Sequence, residues 1–135
     1  MTAKEYFEQQ TTAENAYYDK KYEVTKTACL NILQNIDSIK NDMKKMYMNF
    51  SEINKPFIDY AYFIIDNFGI DEEQKEIIDL LIVHKLITKK YLKEMFDLIP
   101  YKNNENAKLF LSYLNQKSFL TESDMTKYLK IINEK

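Results

Sequence analysis

The sequence predicts an all-α protein, and three observations carry that prediction. Only one Gly (Gly69) and two Pro (Pro56, Pro100) punctuate 135 residues, whereas a β-rich chain needs turn residues roughly every eight to twelve positions. The stretch from Met1 to Lys55 contains neither. Within it Tyr18, Tyr22, Thr25, Cys29, Ile32, Ile36, Ile39, Met43, Met46 and Phe50 follow one another at alternating steps of four and three. That heptad spacing keeps one stripe of a helix facing a partner helix, as in a coiled coil.

The first element is read as one long N-terminal helix. Thr11, Thr12, Ala13 and Glu14 have the form of a capping box, a hydroxyl to accept a backbone N–H and a carboxylate to reach back, so the helix is expected to start at Thr11 or Thr12. From Thr12 to Phe50 it would measure about 58 Å at roughly 1.5 Å per residue, against a radius of gyration of about 14 Å for a compact chain of this length. With no Gly or Pro to break it, the helix is expected to project and meet another chain. The chain accordingly divides into residues 1–55, an interaction or oligomerisation element, and residues 56–135, a helical body on which that element packs. Leu33 and Tyr47 widen the stripe between Ile32 and Met46, which suggests several neighbours. Tyr18, Tyr22 and Thr25, polar-tipped and among mixed charges, mark an end expected to be wet or only partly covered. The competing reading is that the stripe is the core face of an ordinary bundle.

Shorter helices follow. Pro56 suits a first helical turn, residues 57–68 are apolar on nearly every side and so call for a central, covered helix, and Gly69 stands where a left-handed C′ residue belongs. Asp71 caps the next helix. Beyond it Ile77, Ile78, Leu81, Leu86, Ile87, Thr88, Leu92, Met95, Phe96 and Ile99 match Phe110, Leu111, Leu114, Phe119, Leu120, Thr121, Met125, Tyr128, Leu129 and Ile132 at a constant offset of 33 (121 − 88). Each set reads as helix, turn, Thr cap, helix, a degenerate helix-pair repeat. The small close-packing residues of tetratricopeptide units are missing from both copies. Residues 103–106 form the polar loop between them.

Composition narrows the functions. The formal net charge is −2, and all 19 basic residues are Lys; AT-rich coding accounts for that bias, but its consequence is chemical. Without the planar Arg fork, base-specific readout of DNA is disfavoured. A single Cys29 allows no internal disulfide, and the first residues lack the basic and apolar regions of a secretory signal, so a cytoplasmic location is expected. No apolar run approaches the roughly 20 residues that span a bilayer. One Gly cannot build a phosphate-cradling loop, and the lone His84 cannot form a multi-histidine metal site. A Cys29–His84 nucleophile pair is disfavoured because Cys29 lies on the apolar stripe, where thiols are inert. Glu72, Glu73, Glu122 and Asp124 read as first-turn carboxylates facing a helix dipole.

The expectation is therefore a regulatory, non-enzymatic protein with no cofactor, metal or small-molecule substrate, acting as an adaptor, inhibitor or assembly subunit. Its partner, a different protein or a second copy, would meet Tyr18, Tyr22, Ile32, Ile36, Ile39, Met43 and Met46. Tyr is favoured for such contacts because it offers area and a polar tip at little entropic cost. The alternative is a Lys-based nucleic-acid regulator holding phosphates through Lys89, Lys90 and Lys93.

Overall fold

A computed structural model describes residues 1–48, 62, 64–98 and 104–134 of the chain. The architecture is an all-α bundle, and among the described residues there is no strand. Its helices are α1 (Ala3–Tyr18), α2 (Tyr22–Gln34), α3 (Ile36–Lys45), α4 (described over residues 64–68, with Tyr62 ahead of them), α5 (Glu72–Val83), α6 (Lys89–Leu98), α7 (Asn104–Gln116) and α8 (Glu122–Asn133). Phe50, Pro56, residues 57–61 and 63 of the expected central helix, Ile99, and the boundary at 55/56 lie outside the described residues.

The long N-terminal helix is not continuous: residues 1–48 form three helices. The first begins at Thr2, not at Thr11. Thr2 Oγ1 accepts from the Glu5 amide at 3.2 Å while Glu5 Oε1 accepts from the Thr2 amide at 3.2 Å, a capping box nine residues earlier than expected. The Ala3 amide adds a 2.7 Å bond to Asp42 Oδ2 on α3. Thr11 and Thr12 sit inside α1 and donate back to the carbonyls of Phe7 and Glu8 at 2.9 and 3.0 Å. What decides between two similar caps is the buried face that follows: Ala3, Tyr6, Ala13 and Ala16 of α1 pack on α2 and α3 only if the helix already runs from Ala3.

The reversal between α1 and α2 uses no glycine. Lys20 adopts φ +59, its amide donates to Tyr17 O at 3.2 Å, and the Lys21 amide donates to Ala16 O at 2.8 Å, the paired bonds of a Schellman stop. Small residues on both sides, Ala13 and Ala16 against Thr25, Ala28 and Cys29, let the two helices approach closely; Thr25 Oγ1 donates to Ala13 O at 3.2 Å across the buried contact. Between α2 and α3 the cause is Asn35. Its side-chain Nδ2 takes the Asn31 carbonyl at 2.7 Å, and its own amide donates instead to Ile32 O at 3.0 Å. An Asn that captures the carbonyl its amide would have used breaks the helical ladder.

Four helices end on left-handed residues other than Gly: Lys20 after α1, Tyr47 after α3, Lys85 after α5 and Ser118 after α7. Each strains the backbone by about 1 kcal/mol. Gly69, with φ +77 and its amide on Ile65 O at 2.8 Å, ends α4 as expected. The turns after α5 and α7 are alike at the 33-residue offset. Lys85 and Ser118 bond back to Ile82 O and Asn115 O at 3.1 and 2.9 Å, while Leu86 and Phe119 bond to Leu81 O and Leu114 O at 2.9 Å each. Thr88 Oγ1 then accepts from the Tyr91 amide, and Thr121 Oγ1 from the Asp124 amide.

Buried side chains of all eight helices join one apolar cluster. Tyr62 meets Phe96 edge-on at 5.5 Å, and Phe110 and Tyr128 lie about Phe96 at 6.3 and 5.9 Å between ring centroids, so α4, α6, α7 and α8 share an aromatic centre. Polar bonds tie α7 to α4 and α5, and α8 to α6: Asn106 Nδ2 donates to Asp66 O at 3.0 Å, Tyr113 Oη to Asp79 Oδ1 at 2.7 Å and Tyr128 Oη to Lys89 O at 3.1 Å. Lys26 is the clamp between α2 and α5. Its ammonium lies 2.7 Å from Glu73, 3.3 Å from Glu23 and 4.6 Å from the centre of the Phe68 ring, and its stem is buried along the way. Gln74, fully buried on α5, has no hydrogen-bond partner for either amide atom among the described residues.

Candidate interaction surface

The residues singled out on the heptad stripe separate into two groups. Ile32, Ile36, Ile39 and Met43 are 0–1% exposed, covered by neighbouring helices of their own chain, so a partner could touch them only after the bundle opens. Leu33 is buried beside them, but Tyr47, expected to widen the stripe, is 100% exposed. The reason is the Schellman stop at Tyr47: the left-handed turn swings its side chain off the helical stripe. Tyr22 is half-buried, Tyr18 is 72% exposed and touches Tyr17 edge-on at 5.4 Å, and Met46 is 49% exposed.

Around Met46 a surface forms that the heptad pattern does not describe. Ala3, Lys4, Phe7, Glu8 and Thr11 of α1 meet Met46 and Met48 at the end of α3 to line an open groove of about 620 Å³. Phe7 (38%), Met46 (49%) and Met48 (37%) all remain exposed on it, and Tyr47 lies between the two methionines in the chain. Two folding events place these groups together: the capping box that starts α1 at Ala3, and the Ala3–Asp42 bond that fixes this end on α3. A legible signal was present in the sequence, since Met46, Tyr47 and Met48 are three consecutive large side chains directly after Lys44 and Lys45, and one helix face cannot bury all three. A smaller recess of about 300 Å³ lies between α1 and α2, walled by Gln9, Thr12, Glu23, Val24 and Thr27.

The lysines of the nucleic-acid reading are divided as well. Lys90 and Lys93 are exposed, but Lys89 is spent on Asp124, 2.7 Å away across the α6–α8 contact. The Lys89 ammonium, with the Thr121 amide, holds the Asp124 carboxyl down at about 2. Because this value lies below the ordinary carboxylate value of about 4, the pair stabilises the fold above that pH, and its contribution is lost as pH falls from about 4 to about 2. Over that window the urea midpoint of the wild type should fall more steeply than that of Asp124→Asn; equal slopes would show that the carboxyl is unperturbed.

The nucleophile candidates do not come together as a reactive pair. Burial pushes the Cys29 thiol up to about 12, which leaves it protonated at neutral pH. His84 caps the end of α5 with its Nδ1 3.8 Å from Asp37 Oδ1. Among the described residues no three His, Cys, Asp or Glu side chains are grouped to hold a metal ion, and no helix is long and apolar enough to cross a membrane. No protein-family model, curated protein or solved structure matches the chain.

Proposed function

We propose that this chain is a non-enzymatic protein–protein interaction module, an adaptor, inhibitor or assembly subunit, that works through the surface formed by the start of α1 and the end of α3. The observation that carries the reading is the exposed set Phe7, Met46 and Met48 lining an open groove, with the wholly exposed Tyr47 between the two methionines in the chain. Contiguous exposed apolar groups on a small folded protein mark interaction sites, and flexible methionines adapt to a docked side chain. The seat of binding therefore moves from the middle of the heptad stripe to its end, where only Met46 of the buried run reaches solvent. The Lys-based regulator has less support, because Lys89 is committed to Asp124 and leaves two lysines on that helix face.

The test is photo-cross-linking in the native cell with a photoreactive residue at position 47, compared with one at the exposed Lys127 on α8. A discrete adduct formed from position 47 and absent from position 127 is the expected result. Adducts of equal yield from both positions, or none from position 47, would overturn the assignment.

A further inference from the structure

The stop at the end of α3 also brings two sulfur-bearing side chains together. In a continuous helix residues 46 and 48 would not share a face. Here the Met46 and Met48 amides both donate to Met43 O, at 3.0 and 2.9 Å, around the left-handed Tyr47, and both methionines line one groove with Phe7. The chain has six Met and one Cys, and burial sorts them. Met46 and Met48 are exposed, Met1 and Met125 are half-buried, and Met43, Met95 and Cys29 are at most 3% exposed. The thiol, ordinarily the first group to meet an oxidant, is kept protonated as well as covered, since burial pushes it up to about 12. The sulfur open to attack is therefore concentrated at the groove.

Resting on the interaction-module reading above, we infer that Met46 and Met48 form a reversible oxidation site that switches the groove off, with a hydroperoxide as the co-reactant. Each thioether sulfur donates a lone pair to one peroxide oxygen. An S–O bond forms, the O–O bond breaks, and the second oxygen leaves as water with the proton of the first. The sulfur loses two electrons and the peroxide gains them. The product sulfoxide is polar where the sulfide was apolar, so an apolar group docked over it would strip its oxygen of water without replacing the hydrogen bond. Neither methionine belongs to the apolar cluster that joins the helices, so the fold survives the change. Sulfoxide reductases, which return the sulfide at the expense of thiols, supply the reverse step.

The experiment treats the full chain with hydrogen peroxide and follows each methionine by peptide mass spectrometry. Met46 and Met48 should be oxidised about tenfold faster than Met43 and Met95, and ahead of Met1 and Met125, with far-UV circular dichroism unchanged. The oxidised chain should elute earlier from a hydrophobic-interaction column, and methionine sulfoxide reductase should restore its original position. A chain carrying the photoreactive residue at position 47, oxidised before it is added to an extract of the native cell, should lose most of its adduct. Met46→Leu with Met48→Leu keeps both groups apolar and leaves no sulfur on the groove, so peroxide should change neither its elution nor its adduct. Oxidation of Met43 or Met95 at the same rate, or earlier elution of the double-Leu variant after peroxide, would overturn the site. An adduct that survives full oxidation of Met46 and Met48 would overturn the switch alone and leave the interaction-module reading in place. No adduct from the untreated chain would overturn that reading and the switch with it.

Discussion

Replacing Ile36 and Ile39 together by aspartate is expected to abolish cooperative folding of the whole chain. Both side chains are at most 1% exposed, in a cluster that contains residues from every helix. Each substitution removes about 2 kcal/mol of apolar burial and adds a carboxylate whose transfer to an apolar site costs several kcal/mol more. The sum, about 10 kcal/mol, is as large as the roughly 5–15 kcal/mol that holds a small protein folded. Far-UV circular dichroism should show loss of helix in α5–α8 as well as α1–α3. A variant whose C-terminal helices stay folded would mean that the stripe is dispensable to the body and free to serve a partner. Ile39→Val, which removes one methylene, should cost only about 1 kcal/mol in a urea titration.

The opposite sign is expected from four glycines. Lys20, Tyr47, Lys85 and Ser118 all carry φ between +56 and +60, where a Cβ costs about 1–2 kcal/mol and Gly loses part of that advantage through its greater freedom when unfolded. Each change to Gly should stabilise by about 0.5–1 kcal/mol. The four turns are separate in the fold, so the effects should nearly add, giving about 2–4 kcal/mol and a rise in Tm of about 10 °C. Gly69→Ala is the matching control. Its Cβ would lie 3.4 Å from Asn106 Oδ1 at φ +77, and it should destabilise. If the fourfold variant gained nothing, the side chains now at those turns would be supplying contacts that offset the strain.

Those four turns also explain what could be read from the residues beforehand. From Gly69 onward most signals were orthodox, a Gly stop at Gly69, an Asp cap at Asp71 and Thr caps at Thr88 and Thr121, each of which acts locally and survives in the fold, whereas the stops at Lys85 and Ser118 carried none. Ahead of it the stop signals were side chains that favour helix, and Lys20 was indistinguishable from any other solvated lysine. The break at Asn35 depends on which carbonyl one amide group takes, a competition that composition does not reveal. Nor does a heptad count show that Ala3, Ala13 and Ala16 form a second face, because small residues score weakly as apolar yet permit the closest packing. The stripe was legible as buried; its owner was not, since 3.5-residue spacing is the same whether the covering helix comes from the same chain or another. On the proposed surface, Met46 lies on that stripe, whereas Phe7 was not singled out because the helix was expected to begin after it.

The division of the first 45 residues into three helices also has a temporal side. α1, α2 and α3 are complete once Lys45 has been added, and neighbouring helices joined by tight turns close in microseconds to milliseconds. The helix that packs on α2 and locks Lys26 and Gln34 through Glu73 and Glu76 ends only at Val83. Thirty-eight residues separate the two points (83 − 45), about 2–8 s of synthesis at roughly 5–20 residues per second. For those seconds the side of α2 that later meets α5 has no cover from that helix, a long interval on the timescale of chaperone encounter and of collision with neighbouring chains.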